Sequence, residues 1–154
     1  MFLKLRRIVR LGRREEGAAA VEFAICLLPL LLILGGIIDF GQCCYMQLTI
    51  SSASRAGARY ATLYTVNSSG QRLKPINLSP TVSSYVTTNY SGLLPSNANL
   101  QATLGGSATT STTSGAYPVT VTVTAQYHWF FLANLVPGLT NPQTLSSTVV
   151  MSLE

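Results

Sequence analysis

The sequence predicts a membrane-anchored α+β protein: a long amino-terminal transmembrane helix stalk, a short helix, and a small antiparallel sheet of about three strands. Three features point there. Residues 17–38 form a run of twenty-two whose only charged member is Glu22. From Met46 through Ile50, Ala53, Gly57, Tyr60 and Tyr64, apolar and small residues recur at alternating steps of four and three, which traces one helical face. From Val119 to Trp129, and again from Leu145 to Leu153, apolar and polar residues alternate with the period of a half-buried strand.

The stalk comes first. A helix rises about 1.5 Å per residue and the hydrocarbon of a bilayer is about 30 Å thick, so residues 18–38 are long enough to cross it. The eleven Leu, Ile and Phe side chains between Phe23 and Ile38 each favour insertion by roughly 0.3–0.6 kcal/mol. Together they outweigh the roughly 3 kcal/mol that a carboxylate within the run costs. Pro29 removes one helical donor, which membranes tolerate as a kink. Gly35, Gly36 and Gly41 loosen the outer end or let a neighbour approach closely.

Charge gives the direction of crossing. The chain of 154 residues carries a formal net charge of +5, yet six of its ten basic residues (Lys4, Arg6, Arg7, Arg10, Arg13, Arg14) precede the span. After residue 17 only four basic side chains face three acidic ones, so the basic balance belongs to the leader and does not imply nucleic acid as a partner. Positive charge immediately before a span holds that end in the cytoplasm and sends residues 65–154 outside. A secretory signal peptide also has a basic start and an apolar core, but that core is about 7–15 residues long and closes on a small-x-small site. Here sixteen uncharged residues follow Glu22, and Ile38-Asp39-Phe40 offers no such site. A lipid attachment at Cys43 is disfavoured by Gln42, where a small residue is needed.

An acidic residue inside a span usually faces a partner or a polar pathway; the plainer alternative is that Glu22 reaches the headgroups and has no specific role. Read with Gly17, the string Gly17-Ala-Ala-Ala-Val-Glu22-Phe23 places a glycine before the apolar run, a carboxylate five residues later and an aromatic next. That resembles the processing site of type IV prepilins. With Pro29 and the downstream Ser54-Arg-Ala-Gly-Ala-Arg-Tyr-Ala61, the stretch from residue 13 to 64 resembles the TadE-like pseudopilins of the tight-adherence (Flp) pilus system.

The resemblance implies a cut by a membrane-embedded prepilin peptidase between Gly17 and Ala18, on the cytoplasmic side of a bacterial inner membrane. Glu22 then becomes the fifth mature residue, meeting, with Phe23 beside it, the new amino terminus of a neighbouring subunit. The implied partners are the peptidase, other pilins and pseudopilins, pilus-assembly membrane proteins and the lipid bilayer. The expected function is that of a minor pilin; the alternative is a single-pass inner-membrane protein whose exterior domain binds a partner without entering a fibre.

Four segments follow: a basic leader over 1–17, the span over 18–38, a continuing helix over 39–65 and a small exterior domain over 66–154. On the continuing helix, Ala53, Gly57 and Ala61 are spaced by four and, with Tyr60, offer a surface that another backbone can approach, either the protein's own sheet or another subunit. Arg55 and Arg59 line up on another face. Asn67-Ser-Ser-Gly70 reads as a turn. Ser79 offers an N-cap and Pro80 a first helical residue for a short helix with Val82, Tyr85, Val86 and Tyr90 on its apolar face, ending at Gly92. Leu100, Ala102 and Leu104 alternate as a first strand, residues 105–115 form a low-complexity loop, and the turn residues Pro137-Gly138 and Asn141-Pro142 separate the last two strands.

The chemistry-bearing residues are few. After Asp39 the only carboxylate is Glu154, and His128 is the only histidine. No acid–base pair, metal cluster or activated nucleophile can be assembled from them, and no glycine motif for phosphate is present. No catalytic residue, metal, cofactor or small-molecule substrate is therefore expected. His128 reads as an exposed strand residue. Cys26 falls within the span, whereas Cys43 and Cys44 sit together at its outer end as small apolar side chains, with pairing between subunits open to them in an oxidising compartment.

Overall fold

The computed structural model describes residues 3–63, 65–71, 73–106, 118–134 and 136–152, with side-chain surroundings from residue 17 onward. Tyr64, most of the low-complexity loop, Leu153 and Glu154 lie outside the described residues.

Helix α1 (Leu3–Thr62) is 60 residues long and passes through Pro29 without a break in the helix. Its two halves differ in what covers them. Val21, Phe23, Ile25, Leu28, Ile33 and Ile37 are exposed, whereas Met46, Ile50, Ala53, Ala58 and Ala61 are buried. A helix that is apolar all round needs a medium other than water, and α1 is long and apolar enough to cross a membrane.

The upper half of α1 is covered by the chain's own small domain. Strands β1 (Gln101–Gly105), β2 (Pro118–Tyr127) and β3 (Gln143–Ser152) form an antiparallel sheet with β2 in the centre. The expected α+β class, with one long helix, one short helix and three antiparallel strands, is the one observed. Val121 lies opposite Leu104 on one side and Val149 on the other, so the alternation read from the sequence sets the register. Val119, Val121, Val123, Ala125 and Tyr127 all point from one face of β2 into the core. The other face carries threonines, with Thr122 and Thr148 hydrogen-bonded across the strands through their hydroxyls at 3.0 Å.

The short helix α2 (Val82–Tyr90) closes the core with Val82 and Val86. Its N-cap is Thr81 rather than the expected Ser79: the Thr81 hydroxyl accepts from the Ser84 N–H at 3.2 Å, satisfying one of the orphan donors of the first turn. The Pro80 carbonyl is engaged elsewhere, accepting from the Tyr60 hydroxyl of α1 at 2.7 Å, which holds the segment before α2 against the stalk.

Alternation continues in the sequence to Trp129, but the strand stops at Tyr127. His128 is exposed, as expected, though it lies beyond the strand. From there the chain turns back down the stalk toward Gly35, followed by a 3-10 turn at Leu132–Asn134. The cause is a carboxylate from α1.

Candidate functional site

The first cluster is the uncovered base of the stalk. Gly17, Ala18, Glu22 and Phe23 are all exposed on α1. Among the described residues Glu22 has no hydrogen-bond or ion-pair partner, and a side chain added at Gly17 would meet no atom within 4 Å. The helical spacing places Ala18 and Glu22 one turn apart on the same face.

The second cluster sits where the apolar run ends. Asp39 has 0% exposure, a position in which an ionised group needs strong compensation. It receives three backbone donors. The N–H of Phe130 donates to Oδ1 at 3.1 Å, and the N–H groups of Phe131 and Leu132 donate to Oδ2 at 2.8 and 2.9 Å. The Asp39 backbone carbonyl in turn accepts from the Tyr127 hydroxyl at 2.7 Å. Burial, and behind it the negative charge of Asp39, pushes the Tyr127 phenol up to about 12, so it remains a donor throughout the physiological range.

This clamp presses the β2–β3 loop onto the glycines of the stalk. An ideal Cβ at Gly35 would stand 2.8 Å from Cγ of Phe131, closer than side chains tolerate. Gly36 lies beneath Leu132. The neighbour that the glycines admit is thus the chain's own loop, at least at Gly35.

Comparison with known proteins bears on the stalk. The family model described as TadE-like protein matches residues 17–59. The matched segment starts at the glycine of the glycine-to-glutamate pattern and runs through Glu22, Phe23 and Pro29 to Arg59. The match covers 43 of the 154 residues, all of them on α1. No curated protein matches the chain, and no solved structure does either.

The upper part of the stalk is already occupied. Ala53, Gly57 and Ala61 are buried against the chain's own sheet and α2. A Cβ at Gly57 would meet Val86 Cγ2 at 2.8 Å and Val121 Cγ1 at 3.2 Å, so α1, α2 and β2 converge at this one position. Tyr60 stacks on Tyr85 with ring centroids 4.3 Å apart and planes 5° from parallel. Beside that stack, Ser52, Arg55, Arg59 and Tyr90 help to line an open groove of about 480 Å³. Cys43 is half-buried, with its thiol raised by burial and by neighbouring Cys44; all three cysteines are free.

Asp39 and its loop are what sequence reasoning missed. The available signal was a lone carboxylate at the boundary between an apolar run and a polar helix, with two glycines one turn below it. What could not be read was its partner, which lies 91–93 residues further along the chain.

Proposed function

We propose that this protein is a pseudopilin, a minor pilin that takes part in assembling a tight-adherence pilus or a related secretion fibre. A prepilin peptidase cuts between Gly17 and Ala18, residues 18–38 anchor the mature chain in the inner membrane, and the domain from residue 66 lies outside. The observation that carries this reading is Glu22: it sits five residues after Gly17 on a stalk that its own domain leaves uncovered, and it has no partner among the described residues.

The chemistry follows from the cut. Cleavage gives Ala18 a positive amino group in a low-dielectric setting, where opposite charges attract far more strongly than in water. A carboxylate one turn along the same or a neighbouring stalk offsets it, and desolvating either charge without the other is costly. Pairing between stalks therefore fixes their axial register. The apolar side chains around Glu22, Phe23 first among them, pack between neighbouring helices and lipid.

The experiment is Glu22→Gln in the full chain. The variant should be cut and inserted normally, because the peptidase reads Gly17 and a neutral side chain enters lipid more readily. It should fail to co-purify with partner pilins and to support pili. Normal assembly by Glu22→Gln would remove the reading. It would instead favour a single-pass protein that binds a partner through its exterior domain, for which the arginine and tyrosine groove beside α2 is the candidate surface.

A further inference from the structure

We propose that the β2–β3 loop, led by Phe130 and Phe131, is a second membrane contact that dips into the outer interface of the bilayer beside the span. The inference rests on residues 18–38 crossing a membrane and goes beyond the assembly role of Glu22. Three observations converge on it.

The first is level. Phe131 packs on Gly35, and Asp39 holds the amides of Phe130 to Leu132. Gly35 lies four residues, or ~6 Å of helix, below Asp39 and inside the apolar run. The loop therefore reaches to the height at which the span itself is still apolar. It cannot stay in water if the span is in lipid.

The second is composition. Phe130 is 76% exposed, and Phe131 and Val136 are also exposed. No Asp, Glu, Lys or Arg occurs from Trp129 to Ser152. Exposed Ile37, Ile38 and Phe40 continue the apolar surface on the stalk at the same height. Aromatic side chains concentrate at the boundary between hydrocarbon and headgroups, and a contiguous exposed apolar patch marks a contact. Continuity with the span identifies that contact as lipid.

The third is the backbone. Irregular chain at membrane depth is tolerated only where its polar groups are satisfied from within the protein. Here the three amides at the tip are taken by the Asp39 carboxylate, and the Val136 N–H donates to the Leu132 carbonyl at 3.1 Å. The same bonds that pin the loop lower the cost of bringing it toward hydrocarbon.

Trp129 is the one tryptophan of the chain, which makes the test direct. In a Trp129→Phe background, Phe130→Trp places a reporter in the loop and Leu31→Trp places one in the span. Each full-length variant is reconstituted into phosphatidylcholine vesicles whose acyl chains carry bromine at a defined depth, and iodide is the quencher from the water side. The Phe130→Trp reporter should emit at shorter wavelength, lose most of its fluorescence to bromines near the headgroups and less to bromines near the bilayer centre, and resist iodide. The Leu31→Trp reporter should respond most to the deepest bromines. Failure of Leu31→Trp to respond to bromine overturns the span and the loop proposal with it. Response at Leu31→Trp with iodide quenching alone at Phe130→Trp overturns the loop proposal and leaves the span. A Phe130→Trp reporter shielded from both quenchers means that protein covers the loop, a second copy included, and equally overturns it.

Discussion

Asp39→Ala removes the acceptor of three backbone donors in one step, and the structure allows its cost to be sized. A hydrogen bond to a charged acceptor is worth roughly 1.5–3 kcal/mol. The three bonds share one carboxylate and are not additive, so the total is nearer 3 kcal/mol than the sum. Since 1.4 kcal/mol is tenfold in an equilibrium constant, opening of the loop should become about a hundredfold easier. Asp39→Asn keeps the shape and one neutral acceptor oxygen, and should cost about 1 kcal/mol. The assay is amide hydrogen exchange of the full chain in detergent micelles, read on the peptide that spans residues 128–139. Local openings of this kind are what exchange reports. Faster exchange should be confined to that peptide in Asp39→Ala, with β2 and α2 still protected. Unchanged exchange at residues 130–132, or an equal loss across β2 and β3, would refute the clamp.

Other expectations follow from the core. Val121→Asp places an unpaired charge at a fully buried position and should lower stability by several kcal/mol, whereas Thr122→Asp on the opposite face should stay within about 1 kcal/mol; thermal unfolding of the full chain compares them, and equal losses would mean the faces are reversed. Gly57→Ala forces a methyl against Val86 and Val121 and should cost about 1–3 kcal/mol, while Gly41→Ala, which meets no atom within 4 Å, should be neutral or gain up to about 1 kcal/mol in the same melt. Tyr127 should ionise late. Its folded value of about 12 lies above the ordinary 10.0, so the stability it contributes is complete below pH 10 and is lost as pH rises through about 12. A phenolate absorbance titration should contain one late component that Tyr127→Phe removes; a single step for all seven tyrosines would count against it.

The elements governed by local periodicity were legible in the sequence. Val119 to Tyr127 alternates with threonines because one face of β2 meets α1 and the other meets water. The four-and-three spacing from Met46 to Tyr60 survives as the buried face of the upper stalk. Contacts between distant segments were not legible. Nothing near Asp39 announces that its acceptor oxygens will meet amides at 130–132, and the strand pattern through Trp129 conceals the turn those amides impose. At α2 the sequence pointed to Ser79 as the cap. Thr81 took the role once Pro80 was drawn to Tyr60, a tertiary contact that overrides the local preference for Ser79. Gly57 was legible as a place of close approach, but the occupant, Val86 of α2 and Val121 of β2, depended on how the rest of the chain folds back. In the candidate site, the glycine-to-glutamate spacing was fully visible, since it is written within six consecutive residues.

If Gly17 and Glu22 form a processed assembly segment, the mass of the protein taken from membranes records the cut. Glycine at position 17 suits a cut because a residue without a side chain can enter a peptidase cleft closely, and its surroundings on α1 are open. The mature chain should begin at Ala18, and Gly17→Val should leave the leader attached. A membrane-extracted chain that still begins at Met1 would contradict the claim.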